Sequence, residues 1–164
     1  MNVNRPADSP TRSVDLPSTP LDRSEMLVCG VDISARTAAV VVVTLGPTGD
    51  PTPIASETRK LELADPDSQD QVKSFKNAFE TFLRGASIRH VVIRKRTPTG
   101  THAGSGLSFK LEGLIQMTDA CGVSLLAPQT IASILRKRPL AIPVDLRKYQ
   151  EDAFKTAAAY LLRH

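Results

Sequence analysis

The run Met26-Leu27-Val28-Cys29-Gly30-Val31-Asp32-Ile33, followed closely by Ala38-Ala39-Val40-Val41-Val42-Val43-Thr44-Leu45, decides how the chain is read. The first run reads as a short buried strand that ends on an aspartate. The second is rich in β-branched residues and fits the next strand of a hairpin, with Ser34-Ala35-Arg36-Thr37 as the tight connection. An unpaired buried carboxylate costs several kcal/mol, so Asp32 must be satisfied by local donors or carry chemistry.

Outward from this hairpin the chain keeps one rhythm. Gly46-Pro47-Thr48-Gly49-Asp50-Pro51-Thr52-Pro53 reads as a turn, and Ser56–Leu63, with polar and apolar residues alternating, as a third, edge strand. Asp65-Pro66-Asp67-Ser68 gives helix start signals, and Val72, Phe75, Phe79, Phe82 and Leu83 recur at helical spacing up to Gly85. Ser87–Arg94 is the next buried strand, and the helix before it suggests a crossover to a parallel position. It runs into Arg94-Lys95-Arg96. The glycine-containing loop Thr97–Gly106 precedes a helix expected from about Leu107 to Ala120, and Val123–Ala127 is a fifth strand. A small helix follows from Pro128 to about Arg136, then the basic link Arg136-Lys137-Arg138-Pro139. The last helix is expected from about Leu146 to Arg163, with Glu151 and Asp152 in its first half.

Composition bounds the reading. A chain of 164 residues suits one domain with a real core. Hydrophobic residues at 41% and charged residues at 23% are globular values, whereas aromatics at 4% disfavour base-stacking platforms. The net charge of +4 is unevenly spread: from Arg84 onward there are 13 Lys+Arg against 5 Asp+Glu, and before it 8 against 12. That asymmetry points to a polyanion-facing side built by the C-terminal half, although ordinary solvated side chains give the same count. Cys29 and Cys121 lack metal-ligand spacing and read as small buried hydrophobes of a reduced, cytoplasmic protein. Residues 1–24, with Pro6, Pro10, Pro17 and Pro20 among polar residues, read as a disordered tail before a domain over 25–164. No apolar run approaches a membrane span, so no membrane partner is expected.

Three meandering strands, a helix, a parallel strand, a helix, another strand and a terminal helix resemble the ribonuclease H-like fold, α/β with a mixed five-stranded sheet flanked by helices. On that scaffold Asp32, Arg94–Arg96 and Glu151/Asp152 converge. The segments Cys29-Gly30-Val31-Asp32, Val92-Ile93-Arg94-Lys95-Arg96, Ala103-Gly104, Phe109–Gln116, Ala127-Pro128-Gln129-Thr130-Ile131 and Lys148–Phe154 are similar to the bacterial family labelled domain of unknown function three-thousand-and-ten. The resemblance covers roughly residues 26–162. It implies a RuvC-like, ribonuclease H-like fold and brings no activity with it.

In that superfamily two divalent metals are held by carboxylates from the first strand, the fourth strand or a neighbouring helix, and the last helix, because paired hard cations need oxygen ligands. The resemblance implies Asp32 as the first ligand and Asp152 or Glu151 as the last, with Mg²⁺ or Mn²⁺ as the ion. The fourth-strand position departs from the pattern: RuvC-type nucleases resemble one another in a glutamate there, where this chain has Arg94, Lys95 and Arg96. Glu112 is the candidate substitute, unless it pairs with Lys110 or Lys95.

Two readings of Asp32 therefore stand side by side, a metal ligand and a carboxylate salt-bridged to Lys95. The loop Gly100–Gly106 lacks the Gly-Lys-Ser/Thr ending of a P-loop, so nucleotide binding through it is disfavoured. Its neighbours Arg94, Lys95, Arg96, His102 and Lys110 are the candidates for phosphate contact with DNA or RNA. His90 reads as structural. The expected role is nucleic-acid binding or processing with a degenerate or rearranged metal site. The alternatives are an active metal-dependent nuclease and a non-catalytic protein-interaction module with an exposed apolar sheet edge. An actin-like ATPase is disfavoured, since that class needs two such domains. Sequence leaves the oligomeric state open.

Overall fold

The computed structural model describes residues 25–100 and 104–163. The predicted tail over 1–24 lies outside them, as do His102 and His164.

β1 (Val28–Ser34) and β2 (Thr37–Leu45) form the expected antiparallel hairpin, with Ser34 opposite Thr37 and Ala35 turning at φ 51°. Asp32 sits inside β1, opposite Ala39, two residues before the strand ends. Of the third strand expected over Ser56–Leu63 only a short piece forms, and a further strand arises in the stretch read as a turn. β3 (Pro51–Ile54) pairs with Val42–Leu45, and β4 (Lys60–Glu62) pairs with Thr37–Ala39. Pro51 and Pro53 read as turn residues in the sequence, yet an edge strand tolerates proline where the missing N–H would face outward. The gap between the two short strands is filled: the Val40 N–H donates to the Arg59 carbonyl (3.0 Å), and the Val40 carbonyl accepts from Gln150 Nε2 (3.1 Å). The sheet thus has six strands rather than five.

α1 (Gln69–Gly85) starts at Ser68, whose hydroxyl accepts from the Gln71 N–H. It crosses over to β5 (His90–Arg94), parallel to β1, and α2 (Gly106–Gln116) crosses to β6 (Gly122–Leu126), parallel to β5. α3 (Pro128–Lys137) and α4 (Glu151–Arg163) follow. The strand order is β3-β2-β1-β5-β6, with β4 on β2, so β1 is central.

Strand alternation sends two sets of side chains to two cores. Cys29, Val31, Ile33, Val91 and Ile93 pack with Phe75, Phe79, Leu83, Leu111 and Ile115 of α1 and α2. Val28, Val41, Val43 and Val92 pack with Ile131 of α3 and Ala153, Phe154 and Ala157 of α4. Both cysteines are free, with Cys29 buried and Cys121 half-buried. The helix expected from Leu146 begins instead at Glu151, after a 3-10 turn over Lys148–Gln150. The buried Gln150 fixes that start, because its side chain accepts from the Arg147 N–H while donating to β2. Among the described residues no helix is long and apolar enough to cross a membrane.

Candidate functional site

The site begins at Gly30. A Cβ there would lie 1.9 Å from the Ala153 carbonyl oxygen and 2.9 Å from the Ala157 Cβ, so only glycine lets α4 lie this close to β1. Asp32 is two residues further along the same face of β1, and Asp152 is the neighbour of Ala153 in the first turn of α4. The close crossing therefore carries the Asp152 carboxylate over the Asp32 strand end.

The third contributor is β5. Its parallel register places Val31 beside Ile93, so the next residues, Asp32 and Arg94, emerge side by side. Arg94 Nη1 lies 3.8 Å from Asp32 Oδ1 and 4.0 Å from Asp152 Oδ2, and Arg96 Nη2 lies 3.6 Å from Asp32 Oδ1. Arg94 and Arg96, two apart, serve the α4 face of the sheet, while Lys95 between them is exposed. The salt bridge expected from Lys95 to Asp32 is thus made by the two arginines, for the elementary reason that alternate residues of an extended chain point to opposite sides.

Arg96 is held from behind. Its backbone N–H donates to Glu112 Oε2 (3.4 Å), and Glu112 is itself buried on α2. Gly104 packs against the stem of Arg96, where an added Cβ would come within 2.9 Å of the Arg96 Cβ, and the Gly104 N–H closes the loop onto the Thr97 carbonyl (2.7 Å). Neither Lys110 nor Lys95 takes the Glu112 carboxylate, contrary to the pairing considered from sequence. Lys110 Nζ donates to the Pro66 carbonyl ahead of α1, which removes it from the arginine cluster. The ion pair to Arg94 at the start of α4 is made by Asp152 and not by Glu151.

The electrostatics follow from this packing. Burial pushes the Asp32 carboxyl above the ordinary aspartate range. Arg96 draws it back, Asp152 raises it again, and Arg94 lowers it. Asp32 Oδ1 and Arg96 Nε are both buried without a hydrogen-bond partner, so the carboxylate meets the guanidinium groups at ion-pair rather than hydrogen-bond distance.

The donor set does not fit the divalent ion that the resemblance implies. Among the described residues no three of His, Cys, Asp and Glu gather in a metal-holding group. The space between Asp32 and Asp152 is spanned by the Arg94 guanidinium, and Glu112 is committed to a backbone N–H.

Beside the network a cleft of ≈ 640 Å³ is lined by Arg94, Lys95, Arg96, Thr97, Thr99, Gly100, Pro128 and Gln129. Pro128 opens α3 after Ala127, which offers no side-chain cap, so the first N–H groups of that helix are left without a side-chain acceptor. Sequence reasoning missed Pro128 and Gln129 as site residues. The signal that could have found them is the proline immediately after a parallel strand, where helix starts meet the ends of the sheet. His102 lies outside the described residues.

Comparison with known proteins agrees with this architecture. The model of a family described as "Protein of unknown function (DUF3010)" matches residues 26–160. No curated protein sequence matches the chain. Among solved structures, Thermus thermophilus RuvC is similar with a TM-score of 0.66 at 12% identity, covering 84% of this chain and 94% of that one. T. thermophilus RuvC in complex with its Holliday junction substrate gives 0.61 at 14%, with the same coverage. The yeast mitochondrial Holliday junction resolvase Ydc2 gives 0.53 at 10%, covering 84% of this chain and 76% of that one. At these identities the likeness is one of fold, and the fold is that of the RuvC-like, ribonuclease H-like proteins.

Proposed function

Because the chain belongs to the family described as protein of unknown function DUF3010 and carries a RuvC-like fold, we propose that it binds the phosphate backbone of nucleic acid through an arginine-substituted centre. The observation that carries this reading is the Arg94 guanidinium bridging Asp32 and Asp152, with Arg96 beside it. A guanidinium offers fixed charge and a planar fork of donors suited to a phosphate. Here the two carboxylates orient the forks, and the adjoining cleft is lined by both arginines and by Lys95. Cleavage of a phosphodiester needs more than binding, and among the described residues no three carboxylates gather to hold the ions that the fold's chemistry would use, an arginine standing between Asp32 and Asp152. Asp32, Glu112 and Asp152, candidates for catalysis from sequence, are accordingly assigned to holding the arginines in place, and Glu151, also a candidate, takes no part in the network. Arg94, Lys95 and Arg96 are assigned to phosphate contact, and Lys110 is not.

The junction bound by T. thermophilus RuvC makes four-way DNA the first ligand to try. The test is fluorescence anisotropy of labelled four-way, duplex and RNA–DNA hybrid substrates at several salt concentrations in EDTA, for wild type, Arg94→Ala and Lys95→Ala. Binding without added metal is expected, with each variant flattening the plot of log K against log salt by about one unit. Binding that appears only with Mg²⁺ or Mn²⁺, or that is indifferent to salt, would overturn the reading. Cleavage assayed on the same samples with Mn²⁺ is expected to stay at background.

A further inference from the structure

α3 carries a surface that the arginine centre alone does not explain. Ile131 is buried, and Ile134 and Leu135 pack with it against α4. At 100° per residue the opposite side of the helix is the row Gln129, Ala132, Ser133, Arg136. Gln129, Ala132 and Arg136 are exposed or half-buried, as is Ser133. Gln129 lines the basic cleft, so the row begins at the arginine centre. Seven residues on, about 10.5 Å at about 1.5 Å per residue, it ends at Arg136, next to the exposed Lys137 and Arg138. No acidic residue occurs in the helix. The two basic ends are thus joined by small side chains that leave the helix surface low.

We propose that this row is the track of a double-stranded nucleic acid, one strand of which places a phosphate in the Arg94–Arg96 cleft and later phosphates against Arg136, Lys137 and Arg138. Phosphates of one strand recur about every 3.4 Å of duplex axis, so the row spans about three of them. Ala132 and Ser133 admit the sugar-phosphate ridge between the two clusters. The row holds no aromatic ring on which unpaired bases would stack, which favours a duplex with its bases kept inside over a single strand. This inference rests on the nucleic-acid reading of the arginine centre and extends it to a polymer class and a direction.

Two variants test it by anisotropy on a random-sequence duplex and on a single strand of equal length. In the first, Arg136, Lys137 and Arg138 are all changed to Ala. The slope of log K against log salt is expected to flatten by about two to three units, at roughly 0.9 for each phosphate no longer neutralised. In the second, Ala132→Leu keeps every charge and the helix, and is expected to weaken duplex binding several-fold with the slope unchanged. Thermal melting of both variants checks that these positions leave the fold intact. A wild-type slope in the triple variant overturns the track, as does wild-type affinity in Ala132→Leu, and so does wild type binding the single strand more tightly than the duplex. If wild type binds no nucleic acid at any salt, the arginine-centre reading itself fails, a result distinct from either variant outcome.

Discussion

Placing a glutamate where Arg94 stands, and a neutral glutamine at Arg96, should convert the centre into one that takes a divalent cation. In the native chain an ion between Asp32 and Asp152 would face the Arg94 guanidinium, which itself lies 3.8 and 4.0 Å from those carboxylates. A 2+ ion about 4 Å from a unit charge is opposed by about 8 kcal/mol at an effective dielectric of about 20, as much as the whole binding free energy of a micromolar site. Asp152 is half-exposed, and solvent there cuts the figure severely. Even a third of it, about 3 kcal/mol, weakens an ion about 100-fold. Arg96, 3.6 Å from Asp32, adds a comparable penalty. Arg94→Glu combined with Arg96→Gln removes both and supplies a third carboxylate. Titration calorimetry with Mn²⁺ is expected to show no saturable binding by wild type and one site in the double variant, lost again when Asp32→Asn is added. Thermal melting of each protein guards against unfolding. Saturable Mn²⁺ binding by wild type that disappears in Asp32→Asn would refute the reasoning, because the arginines would then be movable side chains rather than the resident cations. A folded double variant that takes no Mn²⁺ would refute it equally.

Gly30→Ala forces a Cβ to within 1.9 Å of the Ala153 carbonyl oxygen, a backbone atom that cannot swing aside, and is expected to lower the midpoint of urea unfolding by an amount equivalent to several kcal/mol or to prevent folding; a wild-type midpoint would contradict the close crossing of α4. Asp32 gives a pH signature. Its carboxyl is raised above its ordinary value of 3.8, so the native state holds the proton more tightly than the unfolded one. Its contribution therefore falls as pH rises from 3.8 through the folded value. The stability of wild type relative to Asp32→Asn, followed by urea melts, should decline over that window, and a rising difference would show Asp32 to be net stabilised by its arginines. Lys110→Ala should leave nucleic-acid affinity and its salt slope unchanged, since Lys110 donates to the Pro66 carbonyl away from the cleft; a slope change of about one unit would return it to the interface. Phe79→Ala, at a fully buried ring of the α1 face, should cost about 3–5 kcal/mol in the same melts, and a loss under about 1 kcal/mol would mean that this core is not close-packed.

Local pattern was enough for the order of elements. The β-branched runs of β1 and β2, the phenylalanine spacing of α1 and the apolar run of β5 each identify their element, because period and side-chain branching act within a few residues. The likeness of that order to the ribonuclease H-like fold implied the central place of β1 as well. The convergence of Asp32, Arg94–Arg96 and Asp152 could therefore be foreseen. The pairing inside it could not. Which of three consecutive cations meets Asp32 depends on the register of β5 against β1 and on which face α4 covers, and both are set by contacts between residues far apart in sequence. The same holds for the two-piece edge strand, where prolines that locally signal a turn are accepted because β2 offers Val42–Leu45 as a partner. It holds for Glu112, bound to a backbone N–H sixteen residues away, and for Lys110, drawn to a carbonyl forty-four residues away. By itself the sequence determined most of the strands and helices, and its likeness to a known fold implied which charges would share one end of the sheet. Tertiary structure alone decided that an arginine stands between the two aspartates, because the close crossing at Gly30 and the parallel register at Val31 and Ile93 exist only in the folded chain.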